Sequence, residues 1–185
     1  MTDIPYNGIM VNEVKKYSCC IIGHRKINTS NEFVEKIKET LMNLVVYKNV
    51  DKFLFGNNGE FNDLCYKLVV ELKNKFANIK TVFYSRYDEI AFTFDEKENY
   101  NYKSKTKPFP YKCFDEIVEN EQVHKANGKY SFVLRNKVMI ENSDFCLFYY
   151  LKDYQLPNMF VKERNSGTKI AYEFAVDYKK DIVLI

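Results

Sequence analysis

Five short apolar runs, separated by stretches of helical periodicity, constrain this chain more than any other feature. They are YSCCII (17–22), DKFLF (51–55), IKTVFYS (79–85), FCLFYY (145–150) and DIVLI (181–185). Runs of this length read as buried strands. Between the first two, Val34, Ile37, Leu41, Leu44 and Val45 recur at helical spacing, behind a Thr29–Glu32 pair that reads as a capping box. Phe61, Leu64, Cys65, Leu68, Val69 and Leu72 form the clearest amphipathic stripe. A further helix over 129–142 carries Arg135, and the last places Ile170, Ala171, Phe174, Ala175 and Tyr178 on one face. Strands alternating with helices pair in parallel through right-handed crossovers. The expected fold is α/β, a Rossmann-like three-layer sandwich with a mainly parallel five-stranded sheet.

Two stretches break that rhythm. Residues 86–128 are polar, include EKENYNYKSKTKPFP and hold Pro108 and Pro110 close together. They read as a long insert after the third strand, with a weak helix near 111–124; loops of this length act as lids or binding loops. Residues 151–165 form a second irregular stretch, and residues 1–16 a leader with Pro5 and Gly8. With no internal repeat and no composition boundary, residues 1–185 are expected to form one domain.

Composition excludes several classes. A hydrophobic share of 46% is that of a globular protein and not of a disordered chain. Net charge is +3 and no run of Lys or Arg forms a stripe, so nucleic acid is not expected as a partner. The five cysteines (Cys19, Cys20, Cys65, Cys113, Cys146) are odd in number and include no C-x-x-C, which favours buried thiols in a reducing compartment. Neither a signal peptide nor 18 consecutive apolar residues is visible, so a cytoplasmic location without a membrane span is expected. His124 has no partner at metal-ligand spacing; neither a metal nor a cofactor is expected.

Glycine placement carries the functional reading. Of six glycines, Gly23, Gly56, Gly59 and Gly167 stand where an expected strand hands over to a helix. Glycine permits close backbone approach, and a helix start presents free N–H groups and the positive end of its dipole. Three such junctions at the carboxyl edge of a parallel sheet describe a site for an anion, most simply a phosphate. The first is Gly23-His24-Arg25, where Arg25 offers a planar fork and His24 a donor or a turn cap. The second is Gly56-Asn57-Asn58 leading to Phe61, which matches neither G-x-G-x-x-G nor a Walker A loop. The third, Ser166-Gly167-Thr168, adds two hydroxyls, although Ser166 could equally be a plain N-cap. Glu173 is the acidic residue near the last junction and falls off the apolar face of its helix.

In order and spacing, CCIIGHRKI, FGNNGEFNDLCYKLV, LRNKVMIENSDFCLFYY and NSGTKIAYEFAVDYKKDIVLI resemble the SLOG superfamily of Rossmann-like proteins. Within it they are most similar to the small bacterial DUF1273-type branch, related to the lonely-guy phosphoribohydrolases and the DNA-processing protein A family. The resemblance covers most of 17–84 and 129–185. It implies a pocket for a nucleotide or nucleotide-derived ligand, with hydrolases of nucleoside monophosphates and antiphage signal sensors among its members. Arg135 with Met139 matches the R-K-x-x-M helix of the hydrolases, and Gly167-Thr168 matches their phosphate motif. Their catalytic glutamate, three residues after the threonine, is Ala171 here. Glu173 lies two residues further on, about 200° around the helix. The second glycine after strand two is Asn57, an acidic residue common in the related branch is Asn62, and the G-x-x-x-x-F frame survives in Gly56 and Phe61.

Three functions follow from these readings. The leading expectation is a cytosolic binding protein for a nucleotide or ADP-ribose-like signal, acting as a sensor or sequestering module, as a homodimer or larger homo-oligomer. The second is an N-glycosidic bond hydrolase or transferase with Glu173 as its candidate catalytic residue. The third is a protein-interaction module built on the insert.

Overall fold

The computed structural model describes residues 15–27, 29–56, 59–86, 92–93, 113–152 and 166–185. The leader up to residue 14, Asn57, Asn58, most of the 86–112 stretch and residues 153–165 lie outside the described residues. Element order is β1 (Tyr17–Gly23), α1 (Asn31–Lys48), β2 (Val50–Phe55), α2 (Glu60–Lys73), β3 (Lys80–Tyr84), β4 (Phe92–Thr93), β5 (Cys113–Phe114) and β6 (Glu116–Val118). There follow α3 (Glu121–Lys125), α4 (Gly128–Glu141), β7 (Phe145–Tyr149), α5 (Gly167–Asp177) and β8 (Asp181–Leu184). The main sheet has six strands in the order β6-β3-β2-β1-β7-β8. Every pairing in it is parallel. β4 and β5 form a separate two-stranded parallel ladder.

Side chains alternate across a strand, so each strand feeds two cores. Cys19, Ile21, Phe53, Phe55, Phe83 and Leu147 meet Ile37, Leu41 and Leu44 of α1 and Phe61, Cys65 and Val69 of α2 on one face. Cys20, Ile22, Leu54, Val82, Cys146 and Phe148 meet Met139 and Ile140 of α4 and Ala171 and Ala175 of α5 on the other. Burial on both faces is why the strands read as continuous apolar runs. The Rossmann-like α/β fold expected from the sequence is the one observed.

The structure differs from that expectation in two places. The sheet has six strands, not five, because the stretch read as an insert supplies β6; where a weak helix was expected near 111–124, β5 and β6 come first and only Glu121–Lys125 is helical. Asp115 anchors it: its Oδ2 accepts from the Thr81 N–H at 2.6 Å, from Thr81 Oγ1 at 2.9 Å and from Lys73 Nζ at 2.7 Å. Phe114 stacks on Phe83 with ring centroids 5.0 Å apart, and Tyr66 OH both donates to and accepts from the backbone of Cys113. The second difference is the cap of α1. Its N-cap is Ser30, whose Oγ accepts from the Phe33 N–H at 3.2 Å. Glu32 is therefore only the second helical residue, one short of the position from which a capping box closes.

Candidate functional site

Strand order runs outward from β1 to β6 on one side and from β7 to β8 on the other. The switch point lies between β1 and β7, and the turns leaving their carboxyl ends bound the crevice where ligands bind in such sheets. His24 ties these turns together. Its N–H donates to Tyr149 O at 3.3 Å, and its Nε2 accepts from the Leu151 N–H at 2.9 Å. The ring is 2% exposed, packed edge-on to Tyr149, and burial holds its pKa below the ordinary imidazole value. It is thus a neutral imidazole that accepts at Nε2, which makes it a structural tie across the switch point.

The glycine junctions do something the sequence did not reveal: they admit side chains of this chain itself. A Cβ on Gly23 would stand 2.3 Å from Phe61 Cδ1, and Phe61 is fully buried and stacked on Tyr149 at 5.5 Å. Phe61 is therefore the floor of the first turn, with no surface left for a ligand. Gly59 has φ 103°, and a Cβ there would lie 2.7 Å from Arg25 Cα. The same approach lets the Glu60 N–H donate to Arg25 O at 2.8 Å, committing one of the N-terminal donors of α2 within the protein. Glu60 also accepts from the Ile27 N–H at 3.1 Å and pairs with Lys26, whose hydrogen bond holds its carboxyl below the usual range.

Gly56 has the most telling neighbour. A Cβ on it would lie 2.8 Å from Cζ, Nε and Nη2 of Arg135, so the guanidinium rests directly on the β2 turn. Arg135 is 2% exposed, so this is a built position and not a solvated helix residue. Phe132, one turn earlier on α4, gathers three cations. The Arg86 guanidinium carbon lies 3.5 Å from its ring centroid, Arg135 at 5.5 Å and Arg25 at 5.7 Å. Arg86 is further fixed by a 2.8 Å bond from Nη1 to Ser131 Oγ, which in turn donates to Gly128 O at 2.7 Å. Three guanidinium groups from β1, β3 and α4 thus converge on one aromatic ring at the carboxyl edge of the sheet. Planar, weakly hydrated and always charged, they suit phosphate and flat π-surfaces alike.

Of the residues singled out in the sequence, the structure brings together Gly23, Arg25, Gly56, Phe61 and Arg135. Ser166, Gly167 and Thr168 open α5, a different helix; Ser166 Oγ caps it by accepting from the Lys169 N–H at 3.1 Å. A Cβ on Gly167 would meet no described atom within 4 Å. Glu173 is exposed, while Ala171 is buried against the sheet. Arg86 was missed because 86–128 read as an insert, and Ser131 and Phe132 because they stand in the helix expected over 129–142 with nothing local to mark them. The signal was present in Arg86, which follows strand three as Arg25 follows strand one. Among the described residues no group of three or more His, Cys, Asp or Glu could hold a metal. No described helix is long and apolar enough to cross a membrane.

No protein-family model matches the chain, and no curated protein matches its sequence. Among solved structures it is similar to DNA processing protein A from Helicobacter pylori, a protein with a single-stranded DNA binding mode. The TM-score is 0.49 and identity 16%, with 91% of this chain and 64% of that chain covered. The chain thus spans a little under two thirds of that protein, and the likeness is one of fold. It corrects two expectations. A nucleotide-signal sensor was expected, and nucleic acid was not expected as a partner; the similar structure is instead that of a protein with a single-stranded DNA binding mode. Composition measures net charge alone, whereas Arg25, Arg86 and Arg135 are scattered in sequence and gathered around Phe132 only by the fold.

Proposed function

We propose that this chain binds single-stranded nucleic acid along the carboxyl edge of its sheet. The observation that carries this reading is the convergence of Arg25, Arg86 and Arg135 on Phe132. Guanidinium groups pair with phosphodiester oxygens, and guanidinium planes and aromatic rings stack on unpaired bases. Base faces are available in a single strand and hidden in a duplex, which gives the site its preference. The order of the four motifs supports, within the same reading, a place in the SLOG superfamily. Five buried free thiols support a reducing compartment such as the cytoplasm.

Fluorescence anisotropy with a labelled oligothymidylate tests the proposal. Binding with Kd below about 100 μM at physiological salt is expected, as is weaker binding of a blunt duplex of equal length. Arg135→Ala should weaken binding, by taking away the buried guanidinium that seats Phe132 against the β2 turn. Phe132→Ala should weaken it as well, by removing the ring on which the guanidinium groups rest. Absence of binding, or equal affinity of parent and Arg135→Ala, would overturn the reading.

A further inference from the structure

Beside the arginine group lies a second arrangement that nucleic-acid binding does not use. Ser85 follows β3 directly, and its Oγ is 3.1 Å from His124 Nε2. Both partners are held from below. The Ser85 N–H donates to Val118 O at 3.0 Å, which continues the β3–β6 ladder by one residue and fixes the strand end. His124 sits in α3, where Asn120 Oδ1 accepts from the Val123 N–H at 3.1 Å and Asn120 O accepts from the His124 N–H at 2.9 Å. Val123, beside it, is 1% exposed and anchors the short helix in the core. Ser85 is 4% exposed and the histidine half-buried. The next residue along the chain is Arg86, whose guanidinium is pinned on Phe132 and Ser131.

We propose that Ser85 and His124 form a nucleophile–base pair acting on a phosphoric ester. A serine hydroxyl within hydrogen-bond reach of an imidazole nitrogen, placed at the carboxyl end of a parallel strand, is the arrangement that nucleophilic catalysis requires. In the reaction Oγ bonds to phosphorus as its proton passes to Nε2. The ester P–O bond then breaks, and the departing alkoxide takes the proton from the imidazolium. Water next attacks the phosphoserine, giving a proton to Nε2; Oγ leaves phosphorus and recovers that proton. The net change is one ester and one water converted to an alcohol and a phosphate of lower substitution.

The experiment uses the whole chain and a fluorophosphonate bearing a fluorescent reporter. Its phosphorus is attacked by Oγ with loss of fluoride, and the stable adduct is located by mass spectrometry of the digest. Labelling at Ser85 is expected, abolished in Ser85→Ala and slowed at least tenfold in His124→Gln. Thermal melts of both variants show whether the fold is kept. His124→Asn serves as a second histidine variant should the glutamine fail to fold. An unlabelled Ser85 in the folded parent overturns the proposal, as does labelling that proceeds equally fast in a folded histidine variant. Since the reagent carries no nucleic acid, labelling can succeed or fail independently of oligonucleotide binding.

Discussion

At the residue scale, the glycines at the sheet edge differ in what they make room for, and substitution separates them. Gly23 faces the fully buried ring of Phe61, which is stacked on Tyr149 and has nowhere to move. Gly23→Ala should destabilise the protein by about 1–3 kcal/mol in urea denaturation, the usual range for overpacking, and leave oligonucleotide affinity near that of the parent. The three atoms nearest a Cβ on Gly56 all belong to the guanidinium of Arg135, the far end of a side chain and not backbone. Gly56→Ala should cost less stability and weaken oligonucleotide binding about tenfold, because it lifts one cation off the β2 turn. If anisotropy showed Gly56→Ala binding as tightly as the parent, the Arg135–Phe132 arrangement would not be part of the binding site. Gly167, by contrast, has open space around it among the described residues.

At the scale of elements, Asp115, between β5 and β6, ties this stretch to β3 and α2. Burial raises the pKa of Asp115, but hydrogen bonds from Lys73 and Thr81 outweigh it and leave the group below its ordinary value. In the unfolded chain the same carboxyl titrates near its free value, about 3.9. A depressed folded pKa stabilises the protein fully above that value and ceases to do so as pH falls through the folded one. Between pH 5 and pH 3 the melting temperature should therefore drop, and drop less steeply in Asp115→Asn, whose side chain does not titrate. Some slope should remain in the variant, because hydrogen bonds from Lys52 and Lys80 likewise hold Glu116 below its usual range. Parallel slopes for parent and variant would show that Asp115 does not couple folding to pH.

At the scale of the whole molecule, a net charge of +3 understates what an anionic strand meets, since three arginines face one edge. If Arg25 and Arg86 each engage one phosphate, log K should fall with log salt at a slope of about −1.4 for a single strand, and Arg86→Ala should reduce that slope by about 0.7. A slope near zero in a salt titration would remove the phosphate role from both. The sequence by itself determined the layers of this fold, because strands buried on both faces leave continuous apolar runs and helices leave a one-sided stripe. It also placed Gly23, Arg25 and Gly56 at the carboxyl edge, since those positions follow from strand ends, whereas Arg135 was singled out by the family resemblance alone. What it left open was which side chains meet there. The packing of Arg135 on Gly56, the stacking of Arg86 on Phe132 and the docking of Asp115 on Thr81 join residues 34 to 79 positions apart. Contacts at such separation have no local periodicity to announce them. Only the parallel sheet, by bringing consecutive strand ends about 5 Å apart, decides that they form.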